Sequence, residues 1–330
     1  LVLLANLTKP LNDDKIRPMK SAFIFPGQGS QAVGMLKDAA SHWPIIEETF
    51  ADASAVLGYD LWHLCQNGPA EELNQTMVTQ PALLTASVAL WRQWFVAGGQ
   101  APAFVAGHSL GEYTALVAAE SLDFVEAVKL VRLRGELMQQ AVPAGEGKMA
   151  AILGLDDADV VAACQEAAQG DVVEAVNFNA PGQVVIAGAA AAVDRAIESC
   201  KDKGARKAMP LPVSVPSHCA LMKGAAEELA EALNEVRFND AVIPVVQNVH
   251  AQPETDADTL KANLLKQLYS PVLWTASVQT LVKEGVQAAV ECGTGKVLAG
   301  LIKRIDRGLP VYGIEEPDSL SKALDALGQS

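Results

Sequence analysis

The chain has 330 residues, 50% of them apolar and 19% charged, which is enough hydrophobic material for a sizeable core and too much for a disordered chain. Its 25 Lys and Arg against 39 Asp and Glu leave a formal charge of −14, a field that repels phosphate backbones and anionic lipid and so argues against a nucleic-acid partner. A bilayer span needs about 18 continuous apolar residues; the longest candidates, 81–91 and 115–119, stop at Arg92 and Glu120, so a soluble protein with no membrane partner is expected.

In chain order, residues 1–18 lack the basic start and apolar stretch of a secretory signal and read as a leader or expression remnant. Residues 21–25 form a short apolar strand that breaks at Pro26-Gly27-Gln28-Gly29-Ser30-Gln31. Helical patterns follow at 43–57 and 80–96. Residues 103–106 then read as a buried parallel-sheet strand ending in Gly107. Two more helices are expected at 111–119 and 123–141, the second opening with Asp123 and Glu126 in capping-box spacing.

From Lys148 the rhythm changes. Strands at 149–153, 172–178, 184–187 and 205–211 and helices at 156–168 and 191–203 give the order βαββαβ, the signature of a ferredoxin-like unit. Helices at 221–236 and 271–284 and strands at 242–248 and 288–291 resume the larger pattern. The expected fold is therefore α/β, with an α/β-hydrolase-like larger domain built on a parallel sheet (19–146 and 212–330) and an inserted ferredoxin-like small domain (147–211).

Chemistry concentrates at Gly107-His108-Ser109-Leu110-Gly111. This is G-x-S-x-G between a predicted strand and a predicted helix, the context of a nucleophile elbow. There the serine hydroxyl projects from the sheet edge, and the N–H of Leu110 falls where an oxyanion would form. A glycine-rich turn without chemistry is the plainer alternative.

A serine hydroxyl needs a base. Of five histidines, His42 and His63 sit in polar helical surroundings, His108 is locked beside the elbow and His250 ends a strand. His218, in the proline-fixed loop Val215-Pro216-Ser217-His218, is the best base, and its neighbour Cys219 reads as core filler. The aspartates between Ser109 and His218 all lie in the inserted unit, mostly at exposed helix ends, so a backbone carbonyl is left to orient the imidazole.

Projecting the helix from Asp123 at about 100° per residue puts Lys129, Arg132, Glu136 and Gln140 on one arc and Arg134 among Leu130, Leu137, Ala127 and Met138. A cation on an apolar stripe needs an anion, either a ligand carboxylate or a distant Asp or Glu. No histidine pair has metal-ligand spacing, and no metal is expected. Gly27-Gln28-Gly29 lacks the third glycine of a dinucleotide fingerprint, and Cys292-Gly293-Thr294-Gly295-Lys296-Val297 fails the phosphate-loop spacing. Five widely spaced cysteines with no CxxC fit a reducing compartment, hence the cytoplasm.

These motifs, together with Asn177-Phe178-Asn179-Ala180-Pro181-Gly182-Gln183 and Arg134-Gly135, resemble the malonyl-CoA:acyl carrier protein transacylase family of fatty acid synthesis and, more broadly, polyketide acyltransferase domains, from about residue 19 onward. The resemblance implies malonyl transfer from malonyl-CoA to the thiol of acyl carrier protein, with CoA thioester as substrate and no cofactor, by a monomer. It implies Ser109 as nucleophile, His218 as base and acid, Arg134 as clamp on the malonyl carboxylate, Gln28 and Leu110 as oxyanion-hole amides, and the main-chain carbonyl of Gln267 as the orienter of His218. The tetrapeptide ending at His218 matches neither usual polyketide extender code, which leaves another extender unit open; a serine thioesterase or esterase is the other enzymatic alternative. The basic run KDKGARK, with Lys203, Arg206 and Lys207, is either a landing site for the acidic carrier or a solvated helix end.

Overall fold

The computed structural model describes residues 19–213 and 215–328. The expected leader at 1–18 lies outside them. Two sheets organise the chain. The first part of the larger sheet comes from β1 (Ser21–Phe25) and β2 (Phe104–Gly107), separated by helices α1 (Lys37–His42), α2 (Pro44–Leu57), α3 (Leu61–Asn67), α4 (Ala70–Leu73) and α5 (Thr76–Val96) and followed by α6 (Gly111–Ala118) and α7 (Phe124–Gln140). The second sheet is then built in one stretch: β3 (Gly147–Leu153), α8 (Asp157–Ala168), β4 (Val173–Ala180), β5 (Gln183–Ala189), α9 (Ala190–Asp202) and β6 (Lys207–Pro210). The chain returns through α10 (Lys223–Glu235), β7 (Val245–Val246), β8 (Pro253–Glu254), α11 (Ala257–Gln267), α12 (Trp274–Lys283), β9 (Ala288–Glu291), α13 (Val297–Ile305), β10 (Val311–Gly313) and α14 (Pro317–Ala326).

The larger sheet runs β10-β9-β1-β2-β7-β8 and is parallel except for the β7–β8 pair. The fold is thus mixed α/β, with a parallel-rich sheet and a separate antiparallel one ordered β4-β5-β3-β6. Because helices cover both faces of the larger sheet, β1 is buried throughout: Phe23 and Phe25 enter one core, Ala22 and Ile24 the other. Phe23 packs edge-on to Trp91 and Trp94 of α5, with ring centroids 5.2 and 5.0 Å away. Helix α5 is buried along nearly its whole length, which explains why its apolar run has no polar face.

Two local features set up the site. Phe25 and Gly107 are paired in parallel register, so the loops after β1 and β2 leave the sheet at the same end and meet. At the turn after β2, a Cβ on Gly107 would fall 1.9 Å from the backbone of Gly111, and one on Gly111 would fall 2.0 Å from the Phe25 carbonyl oxygen. Only glycine lets strand, turn and helix pack this closely. Some predicted elements change extent. The strand expected at 242–248 pairs only over Val245–Val246, since Pro244 has no N–H to donate and, beyond Val246, the Asn248 N–H turns to Glu112 Oε2 while the Asn248 side chain reaches the Gly107 carbonyl. The helix expected to start at 80 begins at Thr76 and tolerates Pro81 near its start. The phosphate-loop lookalike turns its amides to the chain's own carboxylates: Glu291 accepts from Leu298 and Ala299, and Glu315 from Gly295.

Candidate active site

Ser109 stands between β2 and α6 with φ of +52°, a left-handed conformation uncommon for a residue with a side chain. Its Oγ lies 2.7 Å from Nε2 of His218. His218 is also left-handed, with φ of +64°, and is buried; its N–H donates to the Leu268 carbonyl and its Nδ1 donates to the Gln267 carbonyl at 2.7 Å. A carbonyl can only accept, so the proton sits on Nδ1 and leaves Nε2 free to accept from the serine hydroxyl. Burial pushes the imidazole down to about 3, the neighbouring Arg134 charge adds to that, and the Gln267 carbonyl opposes it. Among the described residues, no carboxylate hydrogen-bonds to the His218 ring.

Arg134 lies on α7 with 0% exposure, as the helix projection required. The neighbouring Gly135 lets α7 close on α5, for a Cβ there would meet the Met77 Cα at 2.6 Å. That approach brings the guanidinium to Gln80 of α5. Nη1 donates to Gln80 Oε1 at 2.8 Å, and Nη2 to Gln267 Oε1 at 3.0 Å and to Ser109 Oγ at 3.3 Å. The Tyr113 ring lies 5.5 Å from the guanidinium carbon, and Nε has no hydrogen-bond partner. The distant Asp or Glu left open by the sequence does not hydrogen-bond to it among the described residues. Desolvation works against the guanidinium's charge, which the Tyr113 and Glu112 side chains favour.

Leu110 opens α6 as its first flanking residue and is fully buried. Gln28 is exposed in the loop after β1, next to Gly27, whose own added Cβ would meet the His108 carbonyl oxygen at 2.6 Å. Both therefore border the nucleophile candidate. Lys203, Arg206 and Lys207 lie elsewhere, at the α9–β6 turn and the start of the edge strand β6; all three are exposed, and Lys203 is paired with Glu166 at 2.9 Å. Cys219 is buried, donates Sγ–H to the Pro216 carbonyl and has its thiol pushed up to about 12 by burial, so it does not compete with Ser109.

The structure adds residues to which the sequence reading gave no role. Gln80, Glu112 and Asn248 are polar and fully buried beside the site. His108 Nε2 sits 2.7 Å from Asn179 Oδ1, which ties the elbow to β4 of the second sheet. The one available signal was a polar residue inside an apolar run, as at Gln80 in TQPALLTASVALW and Glu112 in GEYTALVAA. Among the described residues, no group of three or more His, Cys, Asp or Glu side chains is arranged to hold a metal ion, and no helix is long and apolar enough to cross a membrane.

Residues 22–307 match the model of the acyl transferase domain family. The malonyl CoA-acyl carrier protein transacylase of Escherichia coli K12 is 60% identical over 304 residues, covering 92% of this chain and 98% of the relative. The crystal structure of an acyl carrier protein S-malonyltransferase from Vibrio cholerae superposes with a TM-score of 0.91 at 58% identity, covering 92% of this chain and 99% of that one. A malonyl-transacylase solved in complex with a type II polyketide acyl-carrier protein gives a TM-score of 0.92 at 54% identity, covering 93% and 99%. With its elbow, buried arginine and whole-length likeness, the chain belongs to the acyl transferase domain family, among the malonyl-CoA:acyl carrier protein transacylases.

Proposed function

We infer that the chain transfers a malonyl group from malonyl-CoA to the phosphopantetheine thiol of acyl carrier protein through an ester on Ser109, in the service of fatty acid or polyketide synthesis. The observation that carries the route is the 2.7 Å contact between Ser109 Oγ and His218 Nε2. His218 takes the hydroxyl proton as Oγ attacks the thioester carbonyl. The resulting oxyanion is met by the Leu110 N–H and an amide of Gln28. The C–S bond then breaks, His218 returns its proton to the departing thiolate, and CoA leaves as the free thiol. In the second half, His218 takes the proton of the carrier thiol, sulfur attacks the malonyl ester, and Ser109 Oγ leaves with that proton.

Arg134 grips the distal carboxylate, for which two amide oxygens now stand in. An imidazole oriented by the neutral carbonyl of Gln267 is a weaker base than one backed by a carboxylate, which favours transfer to a thiol over hydrolysis. The larger unit, 19–146 with 212–330, is read as α/β-hydrolase-like on the strength of its parallel sheet and elbow. The unit 147–211 is read as ferredoxin-like because the βαββαβ order and the sheet order β4-β5-β3-β6 both suit that topology. Five buried free cysteines suit the cytoplasm. The carrier is assigned to the surface bearing Lys203, Arg206 and Lys207. In support, Lys207 alternates along β6 with Ala208, which packs towards the helices, and so belongs to the opposite face of the sheet.

Incubation with radiolabelled malonyl-CoA and no acceptor should leave a stable ester on Ser109, lost in Ser109→Ala; free malonate in its place would indicate a hydrolase, and no turnover a scaffold. Arg134→Ala should lower malonyl transfer by at least tenfold and spare or improve acetyl transfer, while equal loss for both acyl groups would count against the carboxylate role. Charge reversal at Lys203, Arg206 and Lys207 should raise KM for the carrier several-fold and leave KM for malonyl-CoA unchanged; if neither moves, the docking surface lies elsewhere. Finally, His218 is neutral when folded down to about pH 3, so between pH 6.5 and 3 the unfolded chain binds the extra proton. Its contribution is whole above pH 6.5 and declines below, by about 1.4 kcal/mol per pH unit at most. The stability gap between wild type and His218→Gln, from denaturant melts, should therefore shift against the wild type as pH falls through this range; a constant gap would contradict the buried neutral imidazole.

A further inference from the structure

The elbow is fastened from outside by a residue that no step of the transfer uses. Asn248 follows β7 and has 0% exposure. Its Oδ1 accepts from the Ser109 N–H at 2.8 Å, and its Nδ2 donates to the Gly107 carbonyl at 2.6 Å. One partner is a backbone donor and the other a backbone acceptor, so the amide has a single workable orientation. The β2–β7 ladder ends with Val105 opposite Val245 and Ala106 opposite Val246. In a parallel ladder one residue bonds the carbonyl of residue i−1 and the N–H of residue i+1 on its neighbour. The Asn248 side chain makes that same pair of bonds around His108, and so adds a rung where neither backbone can supply one.

The rung is itself held. Asn248 N–H donates to Glu112 Oε2 at 2.7 Å, its carbonyl accepts from Leu273 N–H, and Gln267 Nε2 reaches Oδ1 at 3.5 Å while also donating to the Ser109 carbonyl at 3.0 Å. Glu112 is the second residue of α6, in its first turn and three residues after Ser109, so the helix that follows the elbow and the chain leaving β7 are joined at this carboxylate. Both polar backbone groups of Ser109 are thereby bonded to amide side chains from distant parts of the chain. The Ser109 N–H is occupied, which leaves the next amide, that of Leu110, to face a developing oxyanion.

We propose that Asn248 is a positioning residue for the nucleophile: its side-chain amide holds Ser109 in the left-handed conformation that aims Oγ at His218 and the acyl carbonyl. The inference rests on Ser109 being the acylated residue. A displacement of about 1 Å at a nucleophile costs on the order of a hundredfold in rate, whereas among the described residues Arg134 and Gln80 have no hydrogen bond to Asn248, and Gln267, the third member of the clamp, meets it only at 3.5 Å.

The test is single-turnover malonylation from radiolabelled malonyl-CoA without acceptor, expressed per folded molecule by near-ultraviolet circular dichroism, beside the inhibition constant of malonate as a probe of the clamp. Asn248→Ala removes both bonds. Asn248→Asp keeps the volume and the acceptor but turns an oxygen on the Gly107 carbonyl, and it decides the matter if the alanine variant does not fold. Both variants should acylate Ser109 ten- to a hundredfold more slowly, with the malonate constant within twofold of wild type. A rate within threefold of wild type in either folded variant overturns the proposal, and so does a malonate constant that rises in step with the loss, because that pattern belongs to general support of the fold. Failure of the wild type to form the Ser109 ester would instead overturn the nucleophile itself.

Discussion

A guanidinium buried without a carboxylate partner is the constraint around which this site is built. Moving a cation out of water is costly unless something nearby restores what the solvent supplied. Here Arg134 receives two amide oxygens, from Gln80 and Gln267, an aromatic face from Tyr113 and the field of Glu112, but, among the described residues, no direct ion pair. The arrangement leaves the cation bearable but incompletely satisfied, which is the basis of the preference proposed above for a substrate carboxylate over an uncharged acyl group. Glu112 shows the other side of the balance. Burial raises its carboxyl to about 7 against the pull of the Asn248 N–H, the side chains of Gln267 and Gln247, and Arg134. A full carboxylate in direct contact with the guanidinium would quench the selectivity proposed for the site.

Backbone strain is the second theme. Ser109 and His218 both occupy the left-handed region, at a cost of about 1–3 kcal/mol each, and each is fixed by bonds from remote segments: Ser109 by Asn248 and Gln267, His218 by the carbonyls of Gln267 and Leu268. Gln267 is common to both. Its main chain orients the base, its Nε2 holds the Ser109 carbonyl, and its Oε1 holds the guanidinium. The end of α11 therefore holds Ser109, His218 and Arg134 in one frame, and the geometry survives because a helix terminus fixes it.

Much of this was legible in the sequence, for physical reasons. The G-x-S-x-G turn is local, and steric need writes its glycines next to the serine. Arg134 stood out because helical period alone puts it on an apolar stripe, and 191–203 announced itself by the same amphipathic pattern, realised in α9. Gln80 and Asn248 did not stand out. Their roles exist only across separations of 54 and 139 residues, and nothing local distinguishes a buried amide that bonds a backbone from one that fills space. The strand around Val245 was overdrawn at both ends: the apolar pattern runs back through Val242 and Ile243, but pairing starts only after Pro244, which has no N–H to donate, and it stops before Gln247. Helices α4, α11, α13 and α14 passed unremarked, and α1 and α3 figured only as the helical surroundings of His42 and His63, most of these elements being too short for periodicity to speak clearly.

The second sheet has a topological consequence of its own. Its first and last strands, β3 and β6, lie side by side and antiparallel, with Ala150 opposite Pro210, so the chain is handed back close to where it departed. Such a segment is a closed loop that leaves and rejoins the chain at neighbouring points and meets the rest of the molecule again along β4, at Val272 and His108. Because its two ends meet, the segment can vary in length without displacing the strands of the other sheet, in which the seryl turn is built.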